Sequence, residues 1–289
     1  MHALFSLNLQ DPTSALHFAV AVGLVSALRN PSVRSAGWKL KRGSRALAAV
    51  LSLAFITLGG YLGVCILMGD YYYFAGQKKH FDFKQPNRAY LAFTKAVDWR
   101  GHEFRHQHML GLVALETKRL ADAEAALRRS DDLHPNNVAA LRLLGRALYW
   151  RGKGAEATAV LQRAIVLDPL HAETYAWLAR TLQLEGRGAG QGSQSFFLRA
   201  IEAWRQALAF APENADYLRG LGLTLSEAGL LDQAAIILAQ SVQLHPGDGI
   251  AQGNLGAIYL RQGKWGKAEA ALLKATVIDA RRVEWWGNL

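Results

Sequence analysis

The 289-residue chain contains one cysteine, and its N-terminal part contains few acidic residues. Each of these shortages excludes some structures or functions. The single cysteine, Cys65, excludes an internal disulfide and a Cys-x-x-Cys redox or metal site. Only one acidic residue occurs among residues 1–69, against six basic residues, so the net charge of +10 is densest at the N-terminus. The mildly basic remainder does not favour a nucleic-acid-binding function, and we expect no nucleic-acid partner.

Charged residues are absent from residues 46–69, which are mostly apolar. As a helix, these 24 residues would be about 36 Å long, enough to cross a hydrocarbon core of about 30 Å. We therefore predict a transmembrane helix over 46–69, and residues 1–69 as a membrane anchor. A second, shorter helix is predicted over 13–29. It either lies in the membrane interface or spans the bilayer and completes a two-helix hairpin.

Residues 29–45, directly before the predicted transmembrane helix, are basic and contain no acidic residue. The basic residues of this segment are Arg29, Arg34, Lys39, Lys41, Arg42 and Arg45. Because positive loops stay in the cytoplasm, everything after residue 69 is expected on the other side. We therefore predict a bacterial inner-membrane protein, in contact with the lipid bilayer, whose larger part is periplasmic. Residues 70–84 are aromatic and basic, which suits the membrane interface or packing against the next helix.

A regularly spaced proline divides the rest of the chain. Pro135, Pro169, Pro212 and Pro246 are separated by 34, 43 and 34 residues, and Ala280 follows after another 34. A fixed period of this size predicts stacked helical hairpins, because proline ends the second helix of each unit.

Small and large residues keep fixed places within each unit. The small residues at position 8 are Gly111, Gly145, Ala179, Gly222 and Gly256. The large residues at position 24 are Leu127, Leu161, Trp204, Leu238 and Leu272. Such pairs allow two antiparallel helices to approach closely. Gly152, Gly229 and Gly263 are expected to form the turns between helices.

This pattern resembles the tetratricopeptide repeat family, whose unit is a helix–turn–helix of 34 residues. The resemblance implies an all-α solenoid after the predicted N-terminal transmembrane helix, with a repeat array over 70–289. The complete units are 104–137, 138–171, 172–214, 215–248 and 249–282. A degenerate unit at 70–103 precedes them, and residues 283–289 are expected to start a further helix. Within this array, the glycine-rich insertion at 186–194 is expected to form a flexible loop between two helices.

The resemblance also implies a groove lined by the first helix of each unit, because these repeats commonly bind protein partners. The residues expected to bind a partner there are Arg142, Arg146, Tyr149, Trp150, Arg180 and Arg219. Arginine suits carboxylate or phosphate, and the aromatics suit an interface. Alternatively, the arginines are solvated or paired with Glu173, Asp216 and Glu227. At the C-terminal end, Trp285 and Trp286 are expected to cap the array or to contact a partner.

Residues 102–106 read His-Glu-x-x-His, the zinc-protease signature. His102 and His106 would be its metal ligands, but His102 lies where one unit meets the next. The third histidine of the extended motif is replaced by Leu112. We therefore predict no metal, no cofactor and no enzymatic activity, and keep a zinc hydrolase as the remote alternative.

The function predicted from the sequence is that of a membrane-anchored scaffold whose periplasmic groove binds a partner protein or segment within a membrane complex. A second hypothesis is an accessory subunit or tail of a bacterial glycan polymerase or ligase, and only the order of membrane helices and repeats supports it.

Overall fold

The computed structural model describes the backbone of residues 42–279, and side chains from Val50 onward. Within these residues the secondary structure is helical and contains no strand, so the all-α prediction is confirmed. The predicted helix 13–29, the partial helix 283–289, and Trp285 and Trp286 lie outside the described residues. The chain divides into two compact units, Met1–His102 and Glu103–Leu289.

The first unit contains one long helix, α1 (Arg42–Gln77), a π-helical turn (Lys78–Asp82) and α2 (Pro86–Trp99). Residues Val50–Asp82 are long and apolar enough to cross a membrane, and their most apolar part is not buried against protein. The predicted boundary between the membrane helix and the repeat array, after residue 69, falls inside α1, which does not end at Asp70. α1 continues for seven residues, and these form the first helix of the degenerate hairpin with α2. The helix continues because one aspartate in a run of aromatic residues does not interrupt it.

The described part of the second unit, up to residue 279, forms five helical hairpins in sequence order. Their helices are α3 (Phe104–Glu116) and α4 (Leu120–Leu133), α5 (Val138–Trp150) and α6 (Gly154–Leu167), α7 (Ala172–Gly188) and α8 (Ser193–Phe210), α9 (Ala215–Glu227) and α10 (Leu231–Leu244), and α11 (Gly249–Arg261) and α12 (Trp265–Ile278). Each second helix packs against the first helix of the next hairpin. Successive first helices also lie beside one another, and together they form one continuous surface.

In four of the five hairpins, a glycine of the first helix packs against a leucine of the second, and the hairpin of α7 and α8 has Ala179 and Trp204 at these places. A Cβ atom built on Gly145 would lie 2.5 Å from Cγ of Leu161, which is fully buried. The same close approach joins Gly222 to Leu238 and Gly256 to Leu272. The residues at positions 8 and 24 therefore pack together, as the spacing predicts.

The turn between the helices has one left-handed residue, at position 15 of four units. Gly152, Gly229 and Gly263 have φ values of 72°, 80° and 70°, which glycine adopts without steric cost. In the first full unit the same place is taken by Lys118, with φ of 59°. The predicted glycine turns therefore form, but nothing in the sequence revealed that Lys118 takes the same conformation.

The glycine-rich insertion at 186–194 is not the flexible loop that its composition predicts. α7 and α8 contain 17 and 18 residues, against 13 and 14 in the preceding hairpin, and a short 3₁₀ turn (Gly190–Gly192) joins them. Gly186 packs against Phe197. The extension is also bound to α9, because Gln183 and Arg187 both contact the Glu227 carboxylate at 2.8 and 2.6 Å. The inserted residues therefore lengthen the hairpin.

Candidate functional site

The candidate site is the surface formed by the first helices of the second unit, here called the inner surface. Helices α3, α5, α7, α9 and α11 contribute to it in order. Position 5 or 9 of a first helix points toward this surface, whereas positions 7 and 8 pack inside the hairpin. For example, Arg142 and Arg146 are half-buried, while Leu144 and Gly145 are buried.

A cavity of about 220 Å³ opens on this surface where α3, α5 and α7 meet. Its lining combines cationic, apolar and aromatic side chains with one carboxylate, that of Glu173. The lining residues are His108, Leu112, Ala139, Arg142, Leu143, Arg146, Glu173 and Trp177. A depression with apolar walls and two guanidinium groups suits an apolar side chain flanked by carboxylates.

Trp177 lies at the centre of an aromatic cluster beside this cavity. Its ring centroid is 5.6 Å from that of Tyr149 and 6.4 Å from that of Trp150. Its indole Nε1 donates a hydrogen bond to Glu173 at 3.2 Å, which fixes the ring orientation. Trp150 is 57% exposed, so the cluster presents apolar area to solvent.

Arg180 is held between two indole rings. Its guanidinium carbon is 4.8 Å from the Trp177 ring centroid and 5.3 Å from that of Trp204. The guanidinium of Arg146 lies over Trp177 as well, at 5.6 Å. Cation–π contacts of this kind orient the guanidinium groups without neutralising their charge. Burial lowers the pKa of Arg180, which indicates an incompletely solvated cation.

The arginines of the inner surface differ in whether they are paired. Among the described residues, no carboxylate lies within 4.0 Å of the guanidinium groups of Arg142, Arg146 or Arg180. Arg219, in contrast, forms ion pairs with Asp216 and Asp248. The pairing that the sequence left open as an alternative therefore applies to Arg219. The other three cations remain available to an anionic ligand.

His108 borders Arg142 in the same cavity. Burial lowers the pKa of His108, and the positive charge of Arg142 lowers it further. Both effects favour the neutral form of the imidazole. A carboxylate bound beside it would raise this pKa, so protonation of His108 and binding of an anion favour each other.

The structure brings five of the six predicted partner-binding residues close to one another. Arg142, Arg146, Tyr149, Trp150 and Arg180 lie at or beside the cavity and the Trp177 cluster. Trp177 itself was missed, because it occupies position 6, which the family resemblance does not assign to the groove. Arg146 and Arg180 both occupy position 9 of adjacent units. A tryptophan close to them in the aligned units was the signal that could have identified this residue.

The His-Glu-x-x-His sequence does not form a metal-binding face. α3 begins at Phe104, so His102 precedes the helix that carries His106. His106 is buried, at 1% exposure. Within residues 42–279, no group of three histidine, cysteine, aspartate or glutamate side chains is arranged to hold a metal ion. The arrangement therefore gives no support to the zinc hydrolase alternative.

Comparisons with known proteins agree with this architecture. Models of the tetratricopeptide repeat match residues 114–180 and residues 191–249. No curated protein sequence matches the chain.

Several solved structures have a similar fold. A crystal structure of MamA has a TM-score of 0.53 and 24% identity, over 61% of this chain and 97% of that chain. YrrB, described as a TPR protein with an unusual peptide-binding site, has a TM-score of 0.53 and 19% identity, over 68% of this chain and 96% of its own. Pseudomonas aeruginosa PilF has a TM-score of 0.58 and 15% identity, over 77% of this chain and 97% of its own. At these identities the likeness concerns the fold alone.

Proposed function

The chain is a tetratricopeptide repeat protein with the fold of a protein–protein interaction scaffold, and we propose that its inner surface binds an extended acidic segment of a partner protein. The observation that carries this proposal is the set of three unpaired guanidinium groups beside the Trp177 cluster. Carboxylates of the segment would pair with Arg142, Arg146 and Arg180. An apolar side chain would occupy the cavity beside Leu112 and Leu143.

We further propose that α1 anchors this scaffold in a membrane, with the array on the periplasmic side of a bacterial inner membrane. The length and apolar exposed surface of α1 support the anchor, and the basic residues before it support the orientation. The proposed activity is binding within a membrane complex, without catalysis and without a cofactor.

Selection from a displayed random peptide library tests the binding proposal, because it requires no knowledge of the natural partner. We expect the purified chain to enrich segments that combine aspartate or glutamate with one leucine or aromatic residue. The double substitution Arg142→Glu and Arg180→Glu reverses two of the three unpaired positive charges. It should weaken binding of the enriched segments at least tenfold, about 1.4 kcal/mol, and shift the selection toward basic segments.

A matched control changes the net charge of the chain by the same amount, but outside the inner surface. Arg129 and Arg199 are exposed on the second helices α4 and α8, so Arg129→Glu with Arg199→Glu should leave the selection unchanged. Enrichment of the same acidic segments by the Arg142 and Arg180 variant would refute the assignment of the groove.

A further inference from the structure

The C-terminal end of α2 returns to the point where the uncharged part of α1 ends. Arg100, directly after α2, forms an ion pair with Asp70 at 3.1 Å. Asp70 is the first charged residue after the uncharged residues 46–69. Farther along, the ring of Phe93 packs against Gly76 and lies 5.8 Å from the ring of Tyr73. α2 is therefore antiparallel to the last two turns of α1.

In this arrangement, residues that come later in the chain can lie closer to the bilayer than residues that come earlier. If α1 crosses the membrane, Asp70 marks the boundary of the hydrocarbon region. Residues 71–77 then rise by about 10 Å into water. Phe81 and Phe83 follow the apolar helix closely in sequence, but they lie at the far turn of the hairpin. Trp99 comes later in the chain and lies back at the level of Asp70.

The side chains at this level have the chemistry of an interfacial contact. Trp99 and Tyr71 are 37% and 64% exposed. The ammonium group of Lys95 lies 5.2 Å from the Tyr72 ring centroid, and Arg100 is bound to Asp70. Tryptophan and tyrosine prefer the headgroup region, because their rings are amphipathic. Lys95 can reach a lipid phosphate from this level, whereas the charge of Arg100 is paired with that of Asp70.

We infer that Tyr71, Tyr72, Lys95, Trp99 and Arg100 form a second membrane contact, here called the interfacial patch, which binds the headgroup region of the bilayer. This inference rests on the proposed membrane anchor and adds to it. The patch joins two helices at the bilayer surface, so α2 and not only α1 is bound to the membrane. The Asp70–Arg100 ion pair connects the two parts.

Spin labels on the full-length chain in nanodiscs of phosphatidylcholine and phosphatidylglycerol test the inference. A label on native Cys65 reports the membrane core. In a Cys65→Ser background, Trp99→Cys and Phe81→Cys report the two ends of the hairpin. Relative accessibility to oxygen and to a water-soluble nickel chelate gives the depth of each label. We expect Cys65 in the core, the Trp99 site in the headgroup region, and the Phe81 site in water, roughly 10–15 Å farther out.

A second site guards against a local folding defect at Trp99. Asp98 is exposed and lies at the same level, so Asp98→Cys should show the same intermediate depth. A core label at Cys65 with fully aqueous labels at both Trp99 and Asp98 would overturn the interfacial patch alone. A Phe81 label as deep as the Trp99 label would also overturn it. An aqueous label at Cys65 would overturn the anchor itself, and the inference with it.

Discussion

At the scale of single residues, replacement of glycine by alanine should change stability in opposite directions at Gly145, which packs against a leucine, and at Gly266, which does not. Gly145→Ala places a methyl group against buried Leu161, so it should lower the unfolding free energy by about 1–3 kcal/mol despite the better helix propensity of alanine. Gly266 has no atom within 4 Å of a built Cβ, so Gly266→Ala should raise it by about 0.5–1 kcal/mol.

Urea titration followed by far-UV circular dichroism measures both variants under identical conditions. A Gly145→Ala variant at least as stable as the wild type would show that Leu161 can move away at little cost. The packing between the two helices would then be looser than the structure indicates.

At this same scale the sequence predicted the packing better than the binding chemistry. Glycine at position 8 and leucine at position 24 recur in several units, so their contact could be inferred from spacing alone. The tryptophan at position 6 and the lysine at position 15 are each found in only one of the full units. Trp177 contacts Arg180 on its own helix, as well as Arg146 on a neighbouring helix. The left-handed conformation of Lys118 is recognised only when its φ angle is compared with that of Gly152 at the same turn position.

At the scale of helices, Glu124 joins one hairpin to the next. It lies on α4 with 5% exposure, and its carboxylate pairs with Arg151 and Lys153 in the turn before α6 and with Arg128 on α4. Burial alone would raise the pKa of Glu124. The hydrogen bonds from Lys153, Arg128 and Arg151 outweigh it and lower this pKa to about 2.

This lowered pKa predicts how stability depends on pH. The carboxylate stabilises the folded chain fully above its unfolded pKa of about 4.3, and the stabilisation is lost as the pH falls toward 2. Glu124→Gln should therefore cost about 1–3 kcal/mol at pH 7, and the difference from wild type should vanish near pH 2.

Urea midpoints measured from pH 7 to pH 2 test this dependence. Glu202→Gln is the matched control, because Glu202 is exposed and hydrogen-bonded to Gln206 on its own helix. A stability difference for Glu124→Gln that is independent of pH would contradict the assignment of the low pKa to this carboxylate.

Two predictions about helices were wrong or incomplete for identifiable physical reasons. The insertion at 186–194 contains four glycines, which favour a flexible loop in isolation. Packing of Gly186 on Phe197 and the contacts of Glu227 stabilise longer helices instead. The sequence separated a helix over 46–69 from a unit at 70–103, whereas one helix continues to Gln77 and Asp70 pairs with Arg100, 30 residues later. Neither long-range partner could be identified from local sequence.

At the scale of the whole molecule, the two compact units predict different behaviour when separated. A fragment of residues 103–289 should fold alone, remain in solution and show a helical circular dichroism spectrum. The full chain should stay in the membrane fraction after an alkaline wash, because α1 retains about 24 uncharged residues.

A substitution in α1 tests whether this helix holds the full chain in the membrane. Leu58 and Leu62 are exposed in the apolar part of α1, and each arginine placed there costs about 2.5–3.5 kcal/mol in a bilayer. Leu58→Arg with Leu62→Arg should therefore release the chain into the wash. Membrane retention of the 103–289 fragment, or of this variant, would contradict the proposed anchor.

The repeated glycine–leucine contact within the hairpins has a consequence for how such a repeat array can evolve. The same contact with a leucine of the same hairpin is made by Gly111, Gly145, Gly222 and Gly256. Because this contact lies inside one hairpin, such a hairpin could be duplicated or lost without breaking the same contact in the others. The hairpin of α7 and α8 is an exception, because its large residue is Trp204. The indole ring of Trp204 packs against Gly220 of the next hairpin and donates a hydrogen bond to Thr224 there at 3.1 Å. Duplication or loss of this hairpin without α9 would therefore break a contact, and α7 and α8 also carry Trp177 and Trp204, the two rings on either side of Arg180.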